Sequence, residues 1–365
     1  MVDILNAAFF IAVQTGAAAI AWGGTGECKT AFLKALADAL GYKFHHFIPS
    51  QHMPEDIGGM PWLDVEKGAA RMFPMEWLLA LTEPFWMLCV DEVTTAQQAM
   101  RPALLSALNP DERRVGSLKF HPTTIVCAAA NPPELAPNSS PLEPSMLARF
   151  YHHNWELPFD SWLAGMMNGG NFPTPTNIPV VGDYSLYLPK WTRLIGTLLK
   201  AQPALRKTVK WPENEMAAPC LRQWHRLAHC LAGAEKVGAD GSIMSELGNG
   251  MVGSAATSQL MQRVAVSDLH DPDAVLDGKE KVDYSEERLD QLIYLPIAML
   301  DALRQNPADQ RITKGCEVMI EMGENGMLDL TMPVLAEVSE VFPEYRIPKA
   351  LLSRYGNLIK QIGGA

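Results

Sequence analysis

Three glycines crowd ahead of a Lys-Thr pair in "AWGGTGECKT", residues 21–30. In a glycine-rich turn that opens a helix, backbone N–H groups cradle phosphate oxygens, a lysine contacts the outer phosphates and a hydroxyl binds Mg²⁺. Lys29 and Thr30 suit the last two roles, and Gly23, Gly24, Thr25, Gly26, Glu27 and Cys28 would form the cradle. The pattern G-x-x-x-x-G-K-[ST] is met except at Cys28, where glycine is expected. The competing explanation is an ordinary strand-to-helix turn that happens to contain Gly-Gly-Thr-Gly.

A second element weighs against coincidence. "MLCVDE" ends an apolar run on Asp91 and Glu92, so one carboxylate can support Mg²⁺ while its neighbour polarises a water; the same pair would also suit a helix N-cap with a first-turn acid. Asn131 closes "TTIVCAAAN", where a carboxamide can orient an attacking water or serve as a turn residue before Pro132. Arg149, in "EPSMLARF", stands near an expected helix end. It suits either presentation to a neighbouring subunit's γ-phosphate or the dipole of that helix. Arg222, in "CLRQW", is either a phosphate contact from the helical half or a surface charge.

These residues need a frame. A helix over 4–13 and a buried strand over 17–22 lead into the loop, and Phe32, Leu33, Leu36 and Leu40 at helical spacing follow it, stopping at Gly41. "FHHFI" (44–48), "FWMLCVDE" (85–92) and "TTIVCAAAN" (123–131) are short apolar runs that read as strands buried on both faces, with a helix over 97–108 between the last two. A parallel sheet wrapped by helices, hence an α/β fold, is the natural solution, with active residues at the carboxyl ends of its strands. Residues 56–75 and 113–120 predict hairpins turning near Gly68 and at Gly116-Ser117. The proline-rich stretch 131–144 is a loop, and the Gly, Pro and Asn content of 160–189 marks a boundary. Beyond it, 191–199, 221–234, 254–264 and 286–303 have helical patterns. The expected domains are a nucleotide-binding α/β domain over 1–160, a linker over 161–189, a helical lid over 190–305 and a helical extension over 306–365.

Composition narrows the function classes. With 365 residues, 48% hydrophobic and 19% charged, the chain can bury one large core or two smaller ones. A formal charge of -11 argues against nonspecific nucleic-acid binding, which needs a dense basic surface. Six scattered cysteines without a C-x-x-C pair suggest reduced thiols in a cytoplasmic protein rather than disulfides or zinc. The uncharged segment 4–26 is interrupted by Asn6, Gln14 and Gly16 and leads into the glycine loop, so a buried helix and strand explain it better than a membrane span. His45-His46 and His152-His153 fall in expected strands, where alternation sends each pair of rings to opposite faces and disfavours a shared metal.

In this order and spacing, "GGTGECKT", "MLCVDE", "CAAAN", "EPSMLARF" and "LRQW" resemble the Walker A, Walker B, sensor 1, arginine finger and sensor 2 of an AAA+ ATPase. The two hairpins, "ERRVGSLKFHPTTIVCAAANP" and "NGMVGSAATSQL" are similar to the MoxR branch, whose members work with partners carrying a von Willebrand factor A domain. The resemblance covers residues 1 to about 300. It implies an ATP- and Mg²⁺-dependent homo-oligomeric ring, expected to be a hexamer, that remodels, assembles or inserts a cofactor into a protein partner. It assigns ATP contacts to residues 23–30, Asp91 and Arg222, with Mg²⁺ on Thr30 and Asp91. Glu92 would be the base, Asn131 would orient the water and Arg149 would act in trans. Met60-Pro61-Trp62 lies where ring-forming ATPases display a pore loop; simple packing is its other reading. Cys28 departs from the pattern, although MCM-type relatives carry alanine there. A Cβ in left-handed geometry costs about 1–2 kcal/mol, and about 1.4 kcal/mol is a tenfold loss of affinity, so weakened rather than abolished binding is expected. The alternatives are a nucleotide-gated scaffold with little turnover and a DNA-handling motor.

Overall fold

The computed structural model describes residues 2–132, 135, 140–169, 175, 178–207, 211, 216–266, 270–284 and 292–362. Nine strands occur among them: β1 (Ala18–Trp22), β2 (Lys43–Phe47), β3 (Met60–Asp64), β4 (Ala69–Phe73), β5 (Trp86–Val90), β6 (Arg114–Val115), β7 (Leu118–Lys119), β8 (Ile125–Ala130) and β9 (Phe150–Asn154). Five of them form a parallel sheet in the order β2-β5-β8-β1-β9. Every residue of β1 and β8 is buried, as continuous apolar runs covered on both faces require. The edge strand β2 is exposed at both Lys43 and His46.

The chain enters the sheet at β1, passes through the Lys29–Leu40 helix to the β2 edge, returns through β5 and β8, and crosses β1 to finish at β9. Its order therefore reverses beside β1. In open α/β sheets a crevice forms outside the carboxyl ends of the strands at such a point. The glycine loop, Asp91 and Asn131 directly follow β1, β5 and β8.

Both expected hairpins are present. β3 pairs with β4 and β6 with β7, turning through Gly68 and Gly116, each in the left-handed region. On the first, Met60 and Trp62 are 58% and 65% exposed, so the packing reading of these residues does not hold within the chain. The expected helix over 97–108 begins only at Arg101. Pro102 lacks an N–H and fits the first turn but not a helix interior, which moves the start four residues along. Residues 161–167, the first part of the expected linker, belong to the Phe159–Met167 helix. Four of the eleven Gly, Pro and Asn residues that suggested the linker, Gly170, Asn171, Pro173 and Asn177, lie outside the described residues, as do 133–134 and 136–139 of the proline-rich loop and positions 286–291 of the expected 286–303 helix.

Two compact units divide the chain: 1–182 with 204–257, and 183–203 with 258–365. This differs from the expected lid over 190–305, because the Leu221–Lys236 and Gly241–Val252 helices pack with the Val2–Gln14 helix and β9. The reason is visible in "NGMVGS". A Cβ at Gly250 would lie 2.3 Å from the Tyr151 ring and 2.5 Å from the His152 carbonyl, so only glycine admits so close an approach to β9. The second unit is helical and includes the Leu295–Gln305, Asp309–Met322, Leu328–Val341 and Lys349–Ile362 helices. No helix among the described residues is long and apolar enough to cross a membrane.

Candidate functional site

At the mouth of the sheet, the Gly23 N–H donates to the Ala130 carbonyl at 3.2 Å, joining the loop to the strand that carries Asn131. Trp155, directly after β9, donates its Nε1 hydrogen to the Glu27 carbonyl at 2.6 Å and packs its ring 4.3 Å from that of Phe32. An indole thus pins the loop from behind. Cys28 caps the Lys29–Leu40 helix with φ 58° and ψ 25°, the left-handed conformation expected from its position in the pattern. Its Sγ lies 3.8 Å from the Gly26 carbonyl.

Lys29 is buried, and its ammonium donates to the carbonyls of Gly23 at 2.9 Å and Gly24 at 2.7 Å and to Asn131 Oδ1 at 2.9 Å. All three of its protons are engaged. Burial lowers its pKa below the usual lysine value, while the Glu27, Asp91 and Glu92 carboxylates act in the opposite sense. Thr30 donates its hydroxyl hydrogen to Asp91 Oδ2 at 2.6 Å. The structure therefore brings together Lys29, Thr30, Asp91 and Asn131, drawn from segments up to 102 residues apart.

Glu92 has φ 50° and ψ 42°, and among the described residues only four non-glycines adopt positive φ, of which Cys28 and Glu92 belong to this site. Its N–H donates to Asp91 Oδ1 at 2.9 Å, and its carbonyl accepts from the Thr95 N–H and hydroxyl, both at 2.8 Å. Such backbone persists only where its surroundings over-determine it.

Sequence reasoning missed His46 and Trp155. His46 Nε2 lies 2.8 Å from Asp91 Oδ2, the same oxygen that accepts from Thr30. The Asp91 N–H donates to the Phe47 carbonyl at 2.8 Å, and this extension of the β2–β5 ladder brings His46 to the carboxylate. His45 instead stacks on Trp77, with ring centroids 4.7 Å apart. Alternation along the strand separated the two rings as expected and left one of them in the site.

Arg149 and Arg222 are not drawn to the loop. Arg149 precedes β9, whose Phe150 pairs with Ala18 at the start of β1, so it lies at the amino end of the sheet, about 13 Å along a five-residue strand from the loop's end. Gln223 donates to the Phe150 carbonyl at 2.7 Å, which brings the start of the Leu221–Lys236 helix to the same place. The two arginines are close enough to interact: burial first, then the Arg222 charge, lowers the pKa of Arg149. Arg149 Nη1 donates to the Ser145 carbonyl, its Nε is buried without a partner, and Arg222 is exposed.

The loop amides, a lysine, a hydroxyl and two carboxylates form a set suited to a polyphosphate and a hard divalent cation. No family model matches the chain. No curated protein matches it either. Among solved structures it is similar to that of a candidate ATPase from Cytophaga hutchinsonii, at 17% identity over 69% of this chain and 84% of that one, with a TM-score of 0.44.

Proposed function

We propose that this chain is a MoxR-like AAA+ ATPase that hydrolyses Mg-ATP within a homo-oligomeric ring, expected to be a hexamer, and uses the cycle to remodel, assemble or insert a cofactor into a protein partner, such as one with a von Willebrand factor A domain. The observation that carries the reading is the convergence of Lys29 and Thr30 on Asn131 and Asp91 at the carboxyl ends of adjacent strands.

Bound ATP and Mg²⁺ would supply the phosphoanhydride to be cleaved and the charge that neutralises it. The chain's residues supply the rest. Lys29 would exchange its carbonyl partners for phosphate oxygens, and Thr30 and Asp91 would hold the cation. Glu92, whose backbone is turned away from the strand direction, takes the proton of the attacking water, and Asn131 orients that water. Arg149, at the amino end of the sheet, would serve a neighbouring subunit's nucleotide, and Arg222, beside it, would report nucleotide state.

Glu92→Gln tests the assignment, because the amide keeps the shape of the side chain and loses its basicity. The variant is expected to bind Mg-ATP as the native protein does and to release no phosphate. Native turnover in Glu92→Gln would remove Glu92 as the base.

A further inference from the structure

Glu27 occupies a variable position of the glycine-loop pattern, yet its side chain folds back over the loop. The Gly24 N–H donates to Glu27 Oε2 at 2.8 Å. A Cβ built on Gly23 would stand 2.8 Å from that oxygen, and one built on Gly24 would stand 2.6 Å from Oε1. The carboxylate therefore rests directly against the α-carbons of both glycines, in space that exists only because neither has a side chain. It is an anion held by a loop amide just ahead of a helix N-terminus, where negative charge is favoured. It is also the first of the three carboxylates whose field supports the charge of the buried Lys29.

We propose that Glu27 is the resident anion of this loop: its carboxylate takes the amide that a nucleotide phosphate would take, nucleotide binds by displacing it, and its charge thereby sets the affinity of the site. The inference rests on the nucleotide-binding reading above. Lys29 and Thr30 are satisfied internally in the same way, Lys29 by two carbonyls and Asn131, and Thr30 by Asp91. Each contact must be exchanged for a contact to ligand: Asp91 would stay in the site on the cation, whereas the Glu27 carboxylate would give up its amide to a phosphate of the same sign of charge. The exchange requires no movement of the loop itself. The Glu27 carbonyl is pinned by Trp155, so rotation of the side chain is enough to uncover the Gly24 amide.

Two variants separate the effects of charge and contact. Glu27→Gln keeps an acceptor of the same reach without charge, and Glu27→Ala removes both. Titration calorimetry with Mg-ATP on the full chain should give about tenfold tighter binding for Glu27→Ala, the low end of what a charge-assisted hydrogen bond at a half-exposed site is worth, and tightening in the same direction for Glu27→Gln. Without nucleotide, amide hydrogen exchange at Gly24 should be faster in Glu27→Ala by about the same factor. Native-like or weaker ATP binding in both variants overturns the inference and leaves the nucleotide site standing, and so does unchanged Gly24 exchange in Glu27→Ala. Absence of ATP binding in the native chain and in both variants, with Gly24 exchange still accelerated, overturns the nucleotide-binding reading and with it the role of Glu27 as a competitor.

Discussion

Replacing Cys28 with glycine should leave the protein more stable than replacing it with alanine, against the usual order of those two changes. Glycine in a helical or extended position normally costs about 0.5–1 kcal/mol relative to alanine, because the unfolded chain gains freedom. At φ 58° and ψ 25° the opposing term is larger. A Cβ in left-handed backbone is disfavoured by about 1–2 kcal/mol. The difference leaves Cys28→Gly more stable than Cys28→Ala by roughly 1 kcal/mol, with the spread of the two terms running from near zero to about 1.5. Alanine is the proper reference, since both variants lose the sulfur and its 3.8 Å approach to the Gly26 carbonyl and differ only in the Cβ.

Urea unfolding of the two variants side by side measures that difference, and calorimetry with Mg-ATP measures its consequence at the proposed site. If strain is all that Cys28 imposes, Cys28→Gly binds ATP as well as the native chain or up to about tenfold more tightly. A glycine variant clearly less stable than the alanine variant would refute the strain argument. Undetectable ATP binding in the native chain, restored by Cys28→Gly, would show that the sulfur obstructs the loop and would favour the scaffold reading over an active ATPase.

Alkylation should modify half-buried Cys28 ahead of Cys89 and Cys127, both fully buried, where burial raises the Cys89 pKa and pushes the Cys127 thiol up to about 12. Saturating Mg-ATP should protect Cys28, and unchanged labelling would place the nucleotide elsewhere. Mixing Arg149→Ala with Glu92→Gln subunits should recover part of the hydrolysis that neither variant shows alone, whereas wild-type turnover in Arg149→Ala by itself would end its assignment in trans. His152 and His153 are buried, and burial pushes both pKa values down to about 4. The unfolded chain therefore binds more protons between pH 6.5 and 4: stability from each, about 3 kcal/mol in the limit, is present above pH 6.5 and is lost as pH falls through 4. His153→Phe, which can keep the ring packing against Phe9 (5.0 Å), should lose less stability than the native protein between pH 7 and 4.5, and parallel stability curves would contradict this.

What could be read from the sequence is what depends on local chemistry. β1, β5 and β8 announce themselves because strands covered on both faces leave no polar alternation, and the residues that follow them are the ones that line the crevice. The left-handed turn at Cys28 was legible for a similar reason, since the glycine pattern specifies a backbone conformation whichever residue stands there. Lateral arrangement was not legible. That His46 reaches Asp91 depends on β2 lying beside β5, a neighbour supplied some forty residues along the chain, and no periodicity within "FHHFI" carries that information. The grouping of the Leu221–Lys236 and Gly241–Val252 helices with the sheet was encoded in Gly250, but a glycine inside a helical pattern does not say which surface it lets approach. The sequence suggests Arg149 for a neighbouring subunit's γ-phosphate and Arg222 for a phosphate contact from the helical half, and neither expectation says where on the sheet the two lie. The strand direction of β9 places both at the far end of the sheet from Lys29. Within the loop, Gly24, Lys29 and Thr30 are each held by another group of the same chain. The affinity of such a site is governed less by which phosphate ligands are present than by what each must release, and Glu27 is the release that opposes the incoming charge.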